Sequence, residues 1–279
     1  MKEILHILVH SLKHSAELIP FLFIAFLIIE LIEHKFSKKT KQLITKSGKL
    51  GPMVGSCLGA IPQCGFSVIA TNLYTTRIIT LGTLIAIYLS TSDEMLPILI
   101  SRNADISVII MVVLIKVVIG MIAGFTIDFF YRNKTKKDFK ICEHDHCDCE
   151  ESIFKSSIIH TLKIFVFILI ITFVLNLGFH YISEDILKKV FFNNTIFAPF
   201  LSSLFGLIPN CASSVMITEL YLSGVITLGT AIGGLLTGSG VALAVLFKSN
   251  ENKKETLTIL TLIYLIGVVS GIVLNLIGV

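Results

Sequence analysis

The densest group of potential metal ligands in this sequence lies at positions 142–150, which read Cys-Glu-His-Asp-His-Cys-Asp-Cys-Glu. Thiolate and imidazole groups favour soft or borderline ions such as Zn²⁺ and Cu(I). The spacing matches no closed zinc finger, so the pattern favours a flexible metal-capturing tract. An idle acidic linker is the alternative. The five candidate ligands are Cys142, His144, His146, Cys147 and Cys149.

A second group of polar residues occurs twice, each time beside a proline in apolar surroundings. Positions 62–65 read Pro-Gln-Cys-Gly, and positions 209–212 read Pro-Asn-Cys-Ala. Proline breaks a helix and frees backbone carbonyls, which at membrane depth must be satisfied or line a wet cavity. The neighbouring amides and thiols could therefore coordinate a cation or line a solute path, whereas simple packing between helices is the alternative. The residues concerned are Gln63, Cys64, Asn210 and Cys211, with Ser67, Thr71, Ser214 and Thr218 close behind them.

Two adjacent carboxylates, Asp93 and Glu94, interrupt an apolar run. Carboxylates at membrane depth are costly unless they are paired, protonated or hydrated; if the span ended early, they would simply be exposed. Lys116 lies in the middle of another apolar run. We expect it to pair with Asp93 or Glu94, either as a coupling element or as a static ion pair. The remaining pathway candidates are Asn72, Ser90, Thr91, Ser92, Glu219, Thr237 and Ser239.

The elements that must position these residues are predicted to be membrane-spanning helices. Of the 279 residues, 54% are apolar and 15% are charged, against about 45–50% and about 25% in soluble domains. A spanning helix needs about 20 apolar residues. Six spans are predicted, at 16–34, 78–101, 105–131, 156–181, 225–247 and 256–279. The segments 50–76 and 197–223 are apolar but broken at their centres, so we predict re-entrant hairpins or pairs of short half-helices.

Basic residues predict which loops face the cytoplasm. Lysine and arginine cluster in 35–49, 132–140 and 248–254, and the positive-inside rule places these segments in the cytoplasm. Both termini then lie outside, the first hairpin enters from the inside, and the second enters from the outside. We expect this multi-pass chain to lie in the plasma membrane.

An internal repeat is the strongest pattern in the sequence. Residues 61–83 align without gaps on residues 208–230, and 13 of the 23 aligned positions are identical. With three crossings in each half, the second copy is inverted, which is a common plan of secondary transporters. The predicted fold is an all-α integral membrane protein of six spans and two hairpins, or ten helical segments. It divides into a first repeat (1–131), a cytoplasmic linker (132–155) and a second, inverted repeat (156–279).

The segment 51–100, with its partner at 198–247, resembles the ten-helix heavy-metal exporters. These are ArsP-like permeases, labelled arsenic efflux proteins or manganese transporters. The paired Ile-Pro-Gln-Cys and Ile-Pro-Asn-Cys tips, the Ser-Thr-Ser-Asp-Glu stretch at 90–94 and the Cys/His-rich middle loop carry the resemblance, which covers most of the chain. It implies export of a metal or a metalloid.

The residues themselves leave the substrate open. Carboxylate, amide and carbonyl oxygens suit Mn²⁺, whereas Cys64 and Cys211 suit trivalent arsenic or a thiophilic metal; the carboxylate pair favours a metal ion. The sequence has no P-loop, so transport would be coupled to ion gradients or to the membrane potential.

Two other functions compete with metal export. A membrane-embedded enzyme is disfavoured because neither a Ser–His–Asp nor an HExxH pattern occurs, and a lipid or small-solute permease is the other alternative. The expected partners are the lipid bilayer and the metal or metalloid substrate. We expect no nucleic acid and no cofactor beyond a transported or captured metal ion; a homo-oligomer is compatible with the sequence.

Overall fold

The computed structural model of the chain describes residues 50–61, 64–92, 95–131 and 197–278, with only the backbone described at Cys64. It also describes scattered positions, namely 19, 23, 158, 161, 162, 165, 166, 169, 170, 173 and 174. The ligand tract at 142–150 and the residues Gln63, Asp93 and Glu94 lie outside the described residues. So do the linker 132–155 and most of the predicted spans 16–34 and 156–181.

Every regular element within the described ranges is a helix. In the order of the chain these helices are α1 (Gly51–Gly59), α2 (Cys64–Thr75), α3 (Leu81–Ser90), α4 (Met95–Ser101), α5 (Ile106–Tyr131), α6 (Ala198–Gly206), α7 (Cys211–Leu222), α8 (Leu228–Thr237), α9 (Ala242–Ser249) and α10 (Lys253–Ile277).

The second five helices repeat the first five. Each of α6 to α10 begins 147 residues after its counterpart among α1 to α5, which is the offset that aligns the two sequence copies. Their packing repeats as well, because α3 lies against α5 and α1 as α8 lies against α10 and α6. We refer to residues 51–131 as the first half and to residues 198–277 as the second half.

Four stretches of the described chain are long and apolar enough to cross a membrane: Leu81–Ser101, Ile106–Tyr131, Leu228–Ser249 and Lys253–Ile277. Two of these stretches coincide with the predicted spans 78–101 and 225–247, each of which has a polar middle in the sequence. The first is divided between α3 and α4, and the second between α8 and α9.

Hydroxyl groups and a glycine explain the two interruptions. The Ser90 and Thr91 hydroxyls each donate to a carbonyl one turn earlier at 2.8 Å, and such bonds compete with the helical backbone pattern. The Thr91 backbone then leaves the helix with ψ of 125°. In the second half, Gly240 takes a φ of 57°, a conformation that favours glycine. Both breaks lie in the polar middles of the two predicted spans.

The two predicted hairpins each contain a pair of short helices. Helices α1 and α6 have 9 residues, and α2 and α7 have 12. None of the four is long enough to cross the roughly 30 Å of hydrocarbon alone. Their entry and return on one side of the bilayer stays a prediction.

Glycines allow each interrupted helix to lie directly against its long neighbour. A Cβ atom built on Gly82 of α3 would lie 2.1 Å from the carbonyl oxygen of Gly124 in α5. A Cβ atom on Gly229 of α8 would lie 2.9 Å from the carbonyl oxygen of Gly271 in α10. Small residues at such contacts are typical of helix pairs in membranes. As a result, α8 is buried along its whole length and α3 from its second residue onward.

Polar side chains cap the first turns of both interrupted helices. Thr80 and Thr227 are their N-caps. Asp128 of α5 accepts hydrogen bonds from the Thr80 hydroxyl at 2.7 Å and from the Gly82 N–H at 2.9 Å. Asn275 occupies the matching position in α10 and accepts a hydrogen bond from the Thr227 hydroxyl at 2.6 Å. These contacts satisfy helix-end donors that have no partner within the helix.

The outer faces of α5 and α10 are apolar. Within the described part of the chain their large exposed side chains include Ile106, Ile110, Leu114, Ile122, Phe129, Leu257, Leu265, Val269 and Leu276. Exposed apolar faces of this extent are what a lipid environment requires. The chain is therefore a multi-pass membrane protein.

Candidate functional site

The two interruptions lie in the buried centre, where the halves meet. Helix α3 contacts α8, α2 contacts α9 across the halves, and α7 contacts α4 in the same way. The hydroxyl-bearing residues at the interruptions are all at most 1% exposed: Ser90, Thr91, Ser92, Thr237 and Ser239. The centre thus brings together many of the polar residues that the sequence singles out.

In the first half, the hydroxyl groups at the centre bond to one another. Ser67 of α2 and Thr91 lie 2.7 Å apart between their hydroxyl oxygens. Thr71, one turn after Ser67, lies 2.5 Å from the Tyr88 hydroxyl. Tyr88 in turn reaches the carbonyl oxygen of Ala242 in the second half at 3.4 Å. This side of the centre is a hydroxyl network that reaches the backbone of the second half.

Lys116 also belongs to this centre. It lies near the middle of α5 and is 1% exposed. Its ammonium donates to the carbonyl oxygen of Thr91 and, at 3.0 Å, to that of Leu235. It therefore bridges the ends of α3 and α8. The expected pairing with Asp93 or Glu94 falls outside the described residues and stays a prediction.

In the second half, the corresponding hydroxyl groups are not joined. Ser214 of α7 matches Ser67, but the residue that matches Thr91 is Gly238, which has no side chain. A Cβ atom on Gly238 would lie 3.0 Å from the Ser214 hydroxyl oxygen. The Thr237 hydroxyl donates to backbone carbonyls at 2.8 Å, and Thr218 donates to the Ser214 carbonyl at 2.7 Å. The Ser239 hydroxyl is fully buried and has no hydrogen-bond partner.

The proline-containing tips begin the second helix of each pair. Asn210 is the N-cap of α7, and its side-chain oxygen accepts a hydrogen bond from the Ala212 N–H at 3.3 Å. Cys211, the first residue of α7, is 5% exposed. Cys64 is the first residue of α2. The close approach of the two thiols and the role of Gln63 stay predictions, because they fall outside what the structure describes.

Asn72 and Glu219 align in the two copies but have different surroundings. Glu219 forms an ion pair with Arg102 at 2.9 Å, and its side chain is 37% exposed. Asn72 is 4% exposed, and its side-chain nitrogen has no hydrogen-bond partner. The structure therefore separates Glu219 from the central group.

A second ion pair joins the halves at the ends of α2 and α10. The Arg77 guanidinium donates to both carboxylate oxygens of Glu255, at 2.7 and 2.8 Å, and the Tyr74 hydroxyl donates to the same carboxylate. The hydrogen bonds with Glu255 raise the pKa of Arg77 above its ordinary value. This pair is more buried than the Arg102 pair, with side-chain exposures of 33% and 21% against 61% and 37%.

Sequence reasoning missed Tyr88 and Gly238 as members of the centre. Tyr88 lies three residues before Thr91 in the apolar run of α3, and a phenol inside such a run needs a hydrogen-bond partner. That was the available signal. The role of Gly238 can be recognised only once the structure shows that its aligned residue, Thr91, is bonded to Ser67.

The chemistry of the centre is oxygen-based in the part of the chain that is described. No group of three or more His, Cys, Asp or Glu residues there could hold a metal ion. The described centre instead presents hydroxyl and carbonyl oxygens with one ammonium. Such groups suit a weakly held, transient ligand better than a resident metal.

Comparison with known proteins finds a family that matches the chain. A family described as "Putative, 10TM heavy-metal exporter" matches residues 4–179 and 176–279, almost the entire chain. No curated protein and no solved structure matches.

Proposed function

The chain belongs to the ArsP_2 family of ten-span heavy-metal exporters, and on this premise we propose that it exports a metal ion or a metalloid across the plasma membrane. The proposed path passes through the centre between the α3/α4 and α8/α9 interruptions. The candidate substrates are Mn²⁺, other heavy-metal ions and arsenic in its trivalent state. Residues of both halves would bind the substrate in turn as it crosses.

The observation that carries this proposal is the unsatisfied hydroxyl group of Ser239, which is fully buried without a hydrogen-bond partner. The Ser214 hydroxyl lies next to Gly238, at the same interruption. A buried polar group left unpaired costs about 1–3 kcal/mol. Both serines lie beside a helix interruption, where backbone carbonyls are also available. A substrate or its hydration water would satisfy the Ser239 hydroxyl.

The second half is therefore proposed to hold the substrate, while the first half supplies charged side chains. Gly238 lets the Ser214 hydroxyl approach the interruption closely, whereas in the first half the Thr91 hydroxyl at that position is bonded to Ser67. Cys211 lies at the start of the same helix as Ser214. Asp93 and Glu94 would supply negative charge for a cation, and Cys64 would add a second thiolate.

The surrounding architecture fits transport by alternating access. We propose that the halves are inverted with respect to the bilayer, as their matched helices and opposite loop charges suggest. On that topology the Arg77–Glu255 pair lies at the cytoplasmic face and the Arg102–Glu219 pair at the outer face. Each would part when its face opens. The Cys/His tract at 142–150 would capture the ion on the cytoplasmic side.

Transport in inside-out membrane vesicles tests the proposal. Vesicles that contain the chain are offered Mn²⁺, Zn²⁺, Cu⁺ or arsenite in separate experiments, and vesicles from the empty host are the control. At least one of the four should accumulate in the lumen. If none accumulates above the control, the proposed function is wrong.

Two serine variants then test the place of binding. Ser214→Ala should raise KM about tenfold, because one substrate contact is lost. Ser67→Ala is the matched control, since its hydroxyl is bonded to Thr91, and its KM should stay within about twofold of the wild type. Equal effects of the two variants would contradict the assignment of the substrate to the second half.

A further inference from the structure

Lys116 is the one described side chain that carries a formal charge into the buried centre. It is 1% exposed near the middle of α5. A buried ammonium is expensive in the membrane, so such residues are generally functional. Lys116 is too far from either end of α5 for its ammonium to reach the membrane interface, as lysines near helix ends usually do.

The ammonium lies between the C-terminal ends of two helices from different halves. It donates to the carbonyl oxygen of Thr91, which caps α3, and to that of Leu235, which lies in the last turn of α8. The last carbonyls of a helix lack partners within the helix and carry partial negative charge. Lys116 thus links the interrupted helix of one half to that of the other.

The matching position of the second half has no such group. Ile263 lies 147 residues after Lys116 and is fully buried. The centre therefore contains one tethered cation rather than a symmetric pair. A single charge that joins both halves can respond to their relative movement, which a charge within one half cannot do.

We infer that Lys116 is the proton-carrying residue that couples transport to the proton gradient; this inference rests on the proposed export function. When the centre faces outward, the Lys116 amine takes a proton from external water as the substrate leaves. The ammonium then holds the ends of α3 and α8 together.

When the centre faces the cytoplasm, the proton returns to cytoplasmic water, the ends of α3 and α8 separate, and the next substrate enters. In each cycle one substrate moves out and one proton moves in.

Few other titratable groups in the described chain face Lys116. Helices α1, α3 and α8 pack against α5. Of these, α8 has no titratable side chain, and α5 itself has further ones only about three turns away. The groups on these elements are Cys57, which is exposed, Tyr88, Asp128 and Tyr131. Asp93 and Glu94, which follow Ser92, lie outside the described residues.

Proteoliposomes that contain the full chain separate coupling from transport itself. One assay measures uptake of the four probes named above into acid-loaded vesicles, and the other measures exchange of the same probe at equal pH on both sides. The variants are Lys116→Gln, which keeps hydrogen-bond donors but does not titrate, and Lys116→Arg, which stays charged. Ile263→Met is the matched control at the equivalent position.

The wild type and Ile263→Met should both show uptake that rises about tenfold with the imposed pH gradient. Lys116→Gln should retain exchange within about threefold and lose the response to the gradient. Lys116→Arg should lose exchange by about tenfold or more, because its permanent cation keeps the ends of α3 and α8 joined.

Three results would overturn the inference. Wild-type exchange that proceeds without any response to the proton gradient would refute proton coupling while leaving the export function intact. A response that persists in Lys116→Gln would assign coupling to another residue. Absence of both uptake and exchange in the wild type would refute the export function and this inference together.

Discussion

The two halves of the chain share a scaffold but differ at their centres. Their five helices begin at the same offset, and their interrupted helices pack through glycines at matched positions, Gly82 with Gly124 and Gly229 with Gly271. Packing of this closeness permits little change in side-chain volume. The scaffold has therefore been kept in both copies of the repeat.

The centres of the two halves, in contrast, contain different residues at matched positions. The first half fills its interruption with Thr91 and Lys116, and their polar groups are bonded. The second half has Gly238 and Ile263 at the same positions, and leaves the hydroxyl of Ser239 unpaired. One copy presents a bonded ammonium and the other a glycine beside an unpaired hydroxyl group. In this way two similar halves can form one binding site between them.

Mutation at the close contact between α3 and α5 should have the largest effect on stability. Gly82→Ala places a Cβ atom 2.1 Å from a backbone oxygen of α5, and overpacking of this kind costs about 1–3 kcal/mol. Gly229→Ala should cost less, because its closest contact, at 2.4 Å, is the side-chain oxygen of Asn275. The Tm of the purified protein in detergent measures both. Leu114→Ala, on the exposed face of α5, is the control, and a Gly82→Ala protein that melts no lower than this control would contradict the close packing.

Making the second centre resemble the first should have the next largest effect. Gly238→Thr restores the hydroxyl that Thr91 supplies in the first half, and its side chain would contact Ser214. Transport should fall about tenfold or more as the space for the substrate closes, while Tm stays unchanged or rises. Gly238→Ala fills less of the space and offers Ser214 no hydroxyl, so its loss should be smaller. Wild-type transport by Gly238→Thr would show that the substrate does not use this space.

The two ion pairs offer a comparison between the ends of the molecule. Arg77 holds Glu255 through two hydrogen bonds and is partly buried, whereas Arg102 and Glu219 are more exposed. Double-mutant cycles to alanine, read from unfolding, should give a coupling energy of about 1–2 kcal/mol for the first pair. The exposed pair should give about 0.2–1 kcal/mol and should weaken more with added salt. A larger coupling for Arg102 with Glu219 would reverse the assignment of the tighter contact.

The halves also differ at one turn residue that has a positive φ, which is Arg77 in the first half. Its φ of 60° is matched by a φ of 71° at the aligned residue, Gly224. A non-glycine residue in this conformation costs about 1–2 kcal/mol. The first half retains arginine there because its guanidinium binds Glu255. The second half makes no such contact and has the glycine that the turn prefers.

Sequence reasoning predicted the elements whose signals are carried by residue type. The aligned prolines located the breaks between α1 and α2 and between α6 and α7, and the apolar runs located α5 and α10 within a few residues. It also predicted that Lys116 faces the interior. Each of these follows from a local cost, either a missing N–H or a charge in an apolar run.

Other features depend on contacts between distant segments and were not predictable in this way. The acceptors of Lys116 include backbone carbonyls, which the sequence does not distinguish from others. The glycines at 120 and 124, and at 267 and 271, have the small-residue spacing of helix contacts, but only the structure shows which helix they meet. The partner of Glu219 is Arg102, 117 residues away, and no pattern connects the two.

The smallest effect on stability is expected at Asp128, where the halves differ only by a carboxylate against an amide. Asp128 and Asn275 occupy matched positions and both accept a hydrogen bond from the threonine that caps the neighbouring helix. Asp128→Asn should therefore lower the free energy of unfolding by about 1 kcal/mol or less, because an amide oxygen already performs this role in the second half. Asp128→Ala removes the acceptor for the Gly82 N–H and should cost about 1–2 kcal/mol. If the amide proved as costly as alanine in Tm measurements, the carboxylate would have a role beyond capping, and the likeness of the two scaffolds would end at this residue.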